Sequence, residues 1–237
     1  PEGVHPALSG LSFTLKSGKT LGILGRTGSG KTTLCSLLVK LYNPPRGTVF
    51  FDGEDIDNVP LDVLRGGVGY VPQDNFLFSA SVRENIRFYA PNATDEDVYA
   101  AAKLADIYDT VMDFPDGFDP EVGERGVTLS GGQKQRVSIA RALVKKPRVL
   151  ILDDALSAVD AETERHIWAS LRGVLSSGAS GIVIAHRVSA LMHCDEILVL
   201  DEGRVIERGT HEQLLASNRI YREVYESQNK AGGADNG

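Results

Sequence analysis

Short apolar segments alternate with amphipathic segments along most of the chain. Strands are predicted where apolar and β-branched residues run between turn residues, at 11–15, 20–24, 48–51, 68–71, 149–152, 181–185 and 197–200. Helices are predicted at about 31–41, 94–112, 132–143 and 160–175, from helical periodicity and capping residues. Strands that alternate with helices indicate a mainly parallel sheet, so the pattern predicts an α/β fold. The stretch at about 76–145 changes to helix and loop, which predicts an α-helical insertion.

Length, charge and cysteine content narrow the class of protein. The chain has 237 residues, a formal net charge of −7 and two cysteines, Cys35 and Cys194. The negative charge argues against broad binding to nucleic acid or to a membrane surface, although it leaves room for a local basic patch. The cysteines lack a metal-type spacing, so we interpret both as small core residues in a reducing compartment. No apolar run approaches the ~20 residues that a membrane span needs.

The two ends of the chain suggest the domain boundaries. The chain begins at Pro1 without a visible signal peptide and enters strand-like sequence almost at once. We therefore expect a domain taken from a longer protein. Residues 1–229 are expected to form that single domain. The polar, glycine-rich residues 230–237 are expected to form a disordered tail.

A glycine-rich motif between the first two well-defined elements carries the strongest chemical signal. It matches G-x-x-x-x-G-K-[ST], in which backbone N–H groups and a helix N-terminus converge on anionic oxygens. Lys31 is expected to reach the β- and γ-phosphates of a nucleotide, and the Thr32 hydroxyl to ligate Mg²⁺. The alternative is a glycine-rich turn without a ligand, and the strand–loop–helix context favours phosphate binding. The residues assigned to nucleotide binding are Gly25, Arg26, Thr27, Gly28, Ser29, Gly30, Lys31, Thr32 and Thr33.

Two carboxylates follow the apolar strand predicted at 149–152. Asp153 and Asp154 stand at the C-terminal end of a buried parallel strand, where α/β sheets bind ligands. Asp153 is the expected partner of Mg²⁺, through water, because this ion keeps much of its hydration shell. Asp154 is then expected to orient or deprotonate an attacking water. The alternative is a solvated acidic turn or a helix cap, which the neighbouring phosphate loop makes less favoured.

A second serine- and glycine-rich motif, residues 129–133 (LSGGQ), precedes the helix predicted at 132–143. It is a second predicted anion site, and one nucleotide does not need two such sites from one chain. With this motif the sequence resembles the nucleotide-binding domain of ATP-binding cassette (ABC) transporters over nearly all of residues 1–228. The phosphate loop resembles the family's Walker A motif, 129–133 its signature motif and 149–154 its Walker B strand.

Three further segments fit the same family in the same order. Gln73 resembles the Q-loop glutamine, residues 157–160 (SAVD) resemble the D-loop, and His186 resembles the switch histidine. Taken alone, His186 would more often be a buried histidine than a catalytic one. The resemblance implies a P-loop NTPase (RecA-like) core with a mainly parallel sheet, an N-terminal antiparallel β part and the inserted helical subdomain at about 76–145. It also implies ATP and Mg²⁺ as cofactors.

The resemblance implies a role for each site residue. Gln73, Asp154 and His186 would be catalytic, with His186 hydrogen-bonded to the γ-phosphate and to the attacking water. Mg²⁺ would be held by Thr32, Gln73 and Asp153. In a head-to-tail dimer that closes on two ATP and reopens on hydrolysis, the γ-phosphate on the opposite subunit would contact Ser130, Gly131, Gly132 and Gln133.

Two segments resemble exporters more than importers within the family. They are residues 121–126 (EVGERG) and 71–79 (VPQDNFLFS), and multidrug, lipid and peptide exporters share them. The resemblance therefore implies two partners, a second nucleotide-binding domain and a transmembrane domain. Gln73 would connect the site to the transmembrane domain, and nucleic acid is not an expected partner. It places the domain, soluble when isolated, at the cytoplasmic face of the cell membrane.

The chain departs from the family pattern at two positions. Asp154 stands where the family usually has glutamate, which predicts slow hydrolysis at this chain's own site and favours the weaker half of a heterodimer over a homodimer. An aspartate that works adequately in place is the alternative. The aromatic residue that stacks on adenine in the family would fall at or before Pro1, which predicts weaker nucleotide affinity than in a longer chain.

Three functions compete at this point. The leading hypothesis is a transport ATPase. The second is a catalytically weak ATP-binding clamp that completes a partner subunit's active site, which Asp154 favours and Lys31, Gln73 and His186 oppose. The third is a soluble ABC protein of DNA repair or translation, which the negative charge and the exporter-like segments oppose.

Overall fold

The computed structural model describes residues 6–123, 127–217 and 219–233. Within these ranges the chain has eight strands and nine helices. It divides into two compact units, the first built from residues up to Leu64 and from Ser180 onward, the second from Arg65–Ala179. None of the helices in the described ranges is both long enough and apolar enough to cross a membrane.

The first unit is organised around a buried central strand, β1 (Thr20–Gly25). Strands β6 (Ser180–Ala185) and β7 (Glu196–Asp201) flank it in parallel, and β8 (Arg204–Gly209) pairs antiparallel with β7. Every residue of β1 and β6 is buried, as expected for the short apolar runs in their sequences. The remaining elements of this unit are α1 (Lys31–Leu38), β2 (Phe50–Phe51), β3 (Glu54–Asp55), α8 (His211–Ala216) and α9 (Ile220–Gly233).

The second unit packs helices around one parallel pair of strands. Strand β4 (Val68–Val71) pairs with β5 (Val149–Asp153), from Val68 beside Val149 to Val71 beside Leu152. Four of the helices lie between these strands in sequence, and the fifth follows β5. Helix α2 (Leu61–Gly67) precedes β4. The five helices are α3 (Val82–Arg87), α4 (Asp95–Leu104), α5 (Tyr108–Met112), α6 (Gly131–Leu143) and α7 (Ala161–Ser176).

A buried arginine joins α6 to α3 and to the segment after β4. The Arg141 guanidinium donates from Nε to the Asn85 carbonyl (2.7 Å), from Nη2 to Asn85 Oδ1 (2.7 Å) and from Nη1 to the Phe76 carbonyl (2.9 Å). Asn85 is fully buried and in turn donates to the Phe78 carbonyl at 3.0 Å. Every partner is a backbone or amide oxygen, so burial lowers the pKa of Arg141, and the hydrogen bonds fix the start of the helical segment.

The fold class predicted from the sequence is confirmed, and three local predictions are wrong. Residues 11–15 form no strand, and the antiparallel strand pairs that the structure describes are β2 with β3 and β7 with β8. The helix predicted to run to residue 112 is interrupted at Asp106, whose φ of 55° is left-handed. Residues 230–233 belong to α9 rather than to a disordered tail, and 234–237 lie outside the described residues.

Candidate functional site

The predicted phosphate loop joins β1 to α1 in the first unit. The chain turns into α1 at Gly30, whose φ of 101° is left-handed and whose Cβ, if it had one, would lie 2.7 Å from the Ala7 carbonyl oxygen. Lys31 is 7% exposed, and its Nζ donates to the carbonyls of Gly25 (2.7 Å) and Arg26 (2.8 Å). The loop is therefore a tight turn with a lysine amine held against its first residues.

The start of α1 fits an anionic ligand. Helix α1 has no side-chain cap and no acidic residue in its first turn. By contrast, α3, α4, α6 and α8 begin with a capping box, and α7 is capped by Asp160. Ser29 is 3% exposed, and its Oγ finds no hydrogen-bond partner among the described residues. Uncapped N–H groups, a buried hydroxyl and a lysine together suit phosphate oxygens.

The register of the first unit brings His186 next to the phosphate loop. Leu24 of β1 lies beside Ala185 of β6. The next residues, Gly25 and His186, therefore lie at the same end of the two parallel strands. The backbone after β6 is held by a residue that sequence reasoning missed. Gln228 of α9 donates from Nε2 to the His186 carbonyl (2.7 Å) and accepts at Oε1 from the Val188 N–H (2.9 Å).

The second unit gathers the acidic strand end and the Q-loop glutamine. Val71 lies beside Leu152, so Gln73 and Asp153 leave the β4–β5 pair at the same edge. Asp153 is 3% exposed, and the Tyr70 hydroxyl donates to its Oδ2 at 3.3 Å, a contact that the sequence did not suggest. Asp154 has a left-handed φ of 51°. Aspartate is among the residues that adopt this conformation most readily.

The signature motif opens α6 and is attached to the D-loop segment. Ser130 Oγ accepts from the Gln133 N–H (3.2 Å), and Gln133 Oε1 accepts from the Ser130 N–H (2.8 Å), which completes a capping box. One turn further on, buried Gln135 donates to Ser157 Oγ (3.0 Å) and accepts from the Ala158 N–H (2.9 Å). Sequence reasoning missed Gln135, which links the two motifs.

Glycine is required at the second position of α6 because the D-loop backbone is too close for a side chain. A Cβ on Gly132 would lie 2.8 Å from the Ala158 carbonyl oxygen, whereas one on Gly131 would meet only Ala158 Cβ, at 3.7 Å. Gly132 is therefore needed for internal packing. Gly131 has no such internal constraint.

The predicted site residues are thus divided between the units. The phosphate loop and His186 lie in the first unit, while Gln73, Asp153, Asp154 and the signature motif lie in the second. Among the described residues, no group of three or more His, Cys, Asp and Glu side chains could hold a metal by itself.

Two pKa shifts bear on the earlier interpretations. Backbone and hydroxyl hydrogen bonds from Thr163 lower the pKa of Asp160 to about 2, so this D-loop residue is a charged cap of α7. Burial raises the pKa of the Cys194 thiol to about 12. Both cysteines are buried and neither forms a disulfide among the described residues, which confirms that they are core residues.

A buried parallel strand, a glycine-rich turn and an uncapped helix with a lysine define a phosphate-loop nucleotide-binding protein. Comparison with known proteins gives the family. Residues 8–157 match the family described as ABC transporter. The chain therefore belongs to the ABC transporter family, and its relatives identify it as a nucleotide-binding domain of the exporter type.

The similar proteins are longer than this chain. A probable multidrug resistance ABC transporter ATP-binding/permease protein, YheI of Bacillus subtilis, is 50% identical over 228 residues, which are 96% of this chain and 39% of that protein. ATP-binding cassette sub-family B member 6 of Xenopus tropicalis is 46% identical over 93% of this chain and 26% of its own length. A bacterial Atm1-family ABC exporter solved with ATP bound has a TM-score of 0.88 and 45% identity, over 94% of this chain and 39% of that one.

Two predictions concern residues that lie outside the described ranges. The adenine-stacking aromatic was predicted at or before Pro1, outside the described residues, and Glu124–Gly126 of the exporter-like segment lie outside them too. Both remain predictions. Residues 121–123 of that segment are described, and the Val122 N–H donates to the Ala80 carbonyl at 2.9 Å.

Proposed function

We propose that this chain binds and hydrolyses Mg·ATP to power export across a membrane as part of a longer transporter. The observation that carries the proposal is the phosphate loop, where buried Lys31 and the uncapped start of α1 meet Ser29 Oγ, which has no hydrogen-bond partner in the described part of the chain. All three favour a phosphate ligand. We further propose that the whole loop, Gly25 to Thr33, contacts the nucleotide.

The metal and the reacting water would be held by few residues. Mg²⁺, when bound, would neutralise charge on the β- and γ-phosphate oxygens, and Thr32, Gln73 and Asp153 are the residues proposed to hold it. Asp154 is proposed to orient the attacking water. His186 is proposed to hydrogen-bond the γ-phosphate, which its exit from the sheet beside Gly25 supports.

We propose that the signature motif acts on ATP bound to a second nucleotide-binding domain. The Ser130 hydroxyl accepts a hydrogen bond within its own cap, so its proton stays available for a phosphate oxygen. Gly131 lies at the same helix start. Unlike Gly132, it is not required to be glycine by the packing of the D-loop backbone. Ser130, Gly131, Gly132 and Gln133 would together receive the γ-phosphate across the dimer.

Replacing Gly131 with aspartate tests this dimer. An aspartate in the first turn suits the dipole of α6 and meets no close neighbour, so the variant should fold normally. It would place a negative charge against the γ-phosphate of the opposite subunit. We expect ATP-dependent association, measured by sedimentation velocity in an Asp154→Asn background, to weaken by about 100-fold or more.

The control is Gly131→Ala, which adds a methyl group without charge and should weaken association far less. Nucleotide affinity of the monomer should be equal in both variants, because their own phosphate loop is unchanged. An aspartate variant that still dimerises with ATP like the parent chain would refute the proposed role of the signature motif.

We propose that an aromatic patch on the second unit docks the membrane-spanning part of the transporter. The patch consists of Phe76, Phe78, Phe88 and Tyr89, of which Phe76, Phe88 and Tyr89 are 67%, 50% and 52% exposed. Phe78 and Phe88 stack with ring centroids 4.1 Å apart. The relatives that this chain spans in part are ATP-binding/permease proteins, so a permease domain is the partner that fits the exposed rings.

Replacing Phe88 and Tyr89 together with serine is expected to uncouple the full-length transporter. Substrate transport in vesicles should fall by about 10-fold or more, because the rings supply the apolar contact with the partner. ATP affinity of the isolated chain should not change. Met112→Ser removes an equally exposed apolar side chain of the same unit, outside the patch, and should leave transport intact. Equal transport by both variants would contradict the docking role.

Asp154 supports a second form of the same proposal. If the shorter carboxylate holds the attacking water poorly, the chain would be an ATP-binding clamp. It would complete the active site of a partner that has glutamate at the position of Asp154. A heterodimer is then the favoured assembly, with the domain at the cytoplasmic face of the membrane. Hydrolysis by the Asp154→Glu variant separates this form from a fully active ATPase.

A further inference from the structure

The side chain of Gln228 holds the backbone on both sides of Arg187. Its amide nitrogen donates to the carbonyl of His186 at 2.7 Å, and its amide oxygen accepts from the N–H of Val188 at 2.9 Å. Both bonds reach the turn that follows β6, 42 and 40 residues earlier in the chain. A primary amide that donates and accepts at once fixes the orientation of two successive peptide groups.

Helix α9, which carries Gln228, is itself fixed to the first unit. The Tyr221 ring is completely buried, and its hydroxyl lies 2.8 Å from Nδ1 of His211 in α8. The Tyr221 N–H, in the first turn of α9, donates to the buried carboxylate of Glu207 in β8 at 3.2 Å. The helix is thus anchored two turns before Gln228, and the glutamine sits on a rigid support.

Backbone hydrogen bonds also support the turn that Gln228 holds, on its downstream side. Val188 is buried, and its carbonyl accepts from the N–H groups of Leu191 and Met192, at 2.9 and 3.1 Å. These bonds fix the downstream side of the turn. On the side of His186, the bond that the structure describes for the backbone carbonyl comes from Gln228.

We propose that Gln228 is a positioning residue for His186, and that α9 thereby sets the activity of the nucleotide site. The inference rests on the proposed function of His186 at the γ-phosphate. A histidine ring moves with its backbone, so rotation of the 186–187 peptide group displaces the ring from a phosphate that the phosphate loop holds fixed. Displacement of a reacting group by about 1 Å can cost roughly 100-fold in rate.

The test replaces Gln228 with methionine, which keeps the length of the side chain and its preference for helix but removes both hydrogen bonds. Single-turnover hydrolysis by the 237-residue chain should slow by about 10- to 100-fold, while the dissociation constant for Mg·ATP changes by less than about twofold. Asn229→Ala is the matched control, because it removes an exposed amide from the next position of the same helix. It should change neither quantity.

Two further measurements separate positioning from simple loss of stability. In a His186→Ala background, Gln228→Met should cause no additional loss of rate, because a residue that acts through His186 has nothing left to position. Gln228→Glu keeps the acceptor for Val188 but cannot donate to the His186 carbonyl, and it should be as slow as the methionine variant. If Gln228→Met slows hydrolysis as much in the His186→Ala background as in the parent chain, the proposal is overturned.

A readout that does not need ATP hydrolysis keeps this inference distinct from the proposed function. The ring resonances of His186 should shift or broaden in the nuclear magnetic resonance spectrum of Gln228→Met, while those of His166, in the second unit, stay unchanged. Unchanged His186 resonances would refute the positioning role even if the chain hydrolyses ATP. Shifted resonances in a chain without ATPase activity would support the positioning role and refute the function.

Discussion

Lys31→Ala is expected to abolish Mg·ATP binding at micromolar to low-millimolar concentrations. The lysine supplies the buried cation of the phosphate loop, and two charge-assisted hydrogen bonds to phosphate oxygens contribute about 1.5–3 kcal/mol each. The loss of even one of these bonds corresponds to roughly a 10- to 100-fold weaker affinity, and the loss of both exceeds 100-fold. Isothermal titration calorimetry with Mg·ATP measures the change directly.

The lysine also has a structural role, so the experiment needs a control for folding. Lys31 Nζ donates to the carbonyls of Gly25 and Arg26, and alanine leaves both without that donor. Lys40, in the same unit, likewise donates to a backbone carbonyl, that of Ile56 at 3.0 Å. Lys40→Ala should lower the melting temperature but leave ATP affinity within about twofold. Normal ATP uptake by a folded Lys31→Ala variant would refute the nucleotide site.

Much of the first unit could be predicted because its signals are local. β1, the phosphate loop and the start of α1 are contiguous in sequence, and a continuous apolar run followed by glycines identifies them without knowledge of the rest. Local signals also predicted two elements of the second unit. One is β5, whose apolar run ends in Asp153. Helix α7 begins at Ala161 because Asp160 caps it, as its sequence predicted.

The error at residues 11–15 has a physical cause. Leu11, Phe13 and Leu15 alternate with more exposed neighbours, so the side chains follow the predicted pattern, but the segment forms no ladder. A strand requires hydrogen bonds to a partner strand, and the alternation of one segment carries no information on whether a partner is available. β8 shows the opposite situation. Its residues are of mixed burial and its sequence did not predict a strand, but it pairs with β7 along most of its length.

The site residues that sequence reasoning missed are all amides or hydroxyls with distant partners. Gln135 bonds Ser157, 22 residues away, and the Tyr70 hydroxyl reaches Asp153 across 83 residues. Gln228 reaches the backbone after β6 from a helix that the sequence did not predict. Such residues look like ordinary surface polar residues until the fold brings their partners together. Motifs therefore identify the groups that touch the ligand, but not the groups that hold them.

Asp154→Glu is expected to accelerate hydrolysis of ATP by about 10- to 100-fold. Aspartate is shorter than glutamate by one C–C bond, about 1.5 Å, and a misplacement of about 1 Å can reduce the rate roughly 100-fold. The backbone favours aspartate, because Asp154 has a left-handed φ of 51°, a conformation that costs most side chains about 1–2 kcal/mol. We therefore expect the glutamate variant to be faster and slightly less stable, with unchanged affinity for Mg·ATP.

Single-turnover hydrolysis at saturating Mg·ATP measures this acceleration, and thermal unfolding measures its cost. Asp154→Asn is the matched control, because it keeps the length and the left-handed preference of aspartate but lacks the carboxylate, and it should be slower than the parent chain. A faster glutamate variant would mean that the native site is limited by the reach of its own carboxylate, so that turnover in the assembled transporter depends on the partner's site. If glutamate gives no acceleration, the weak-clamp form of the proposal is wrong, and the chain is an ATPase that works with aspartate.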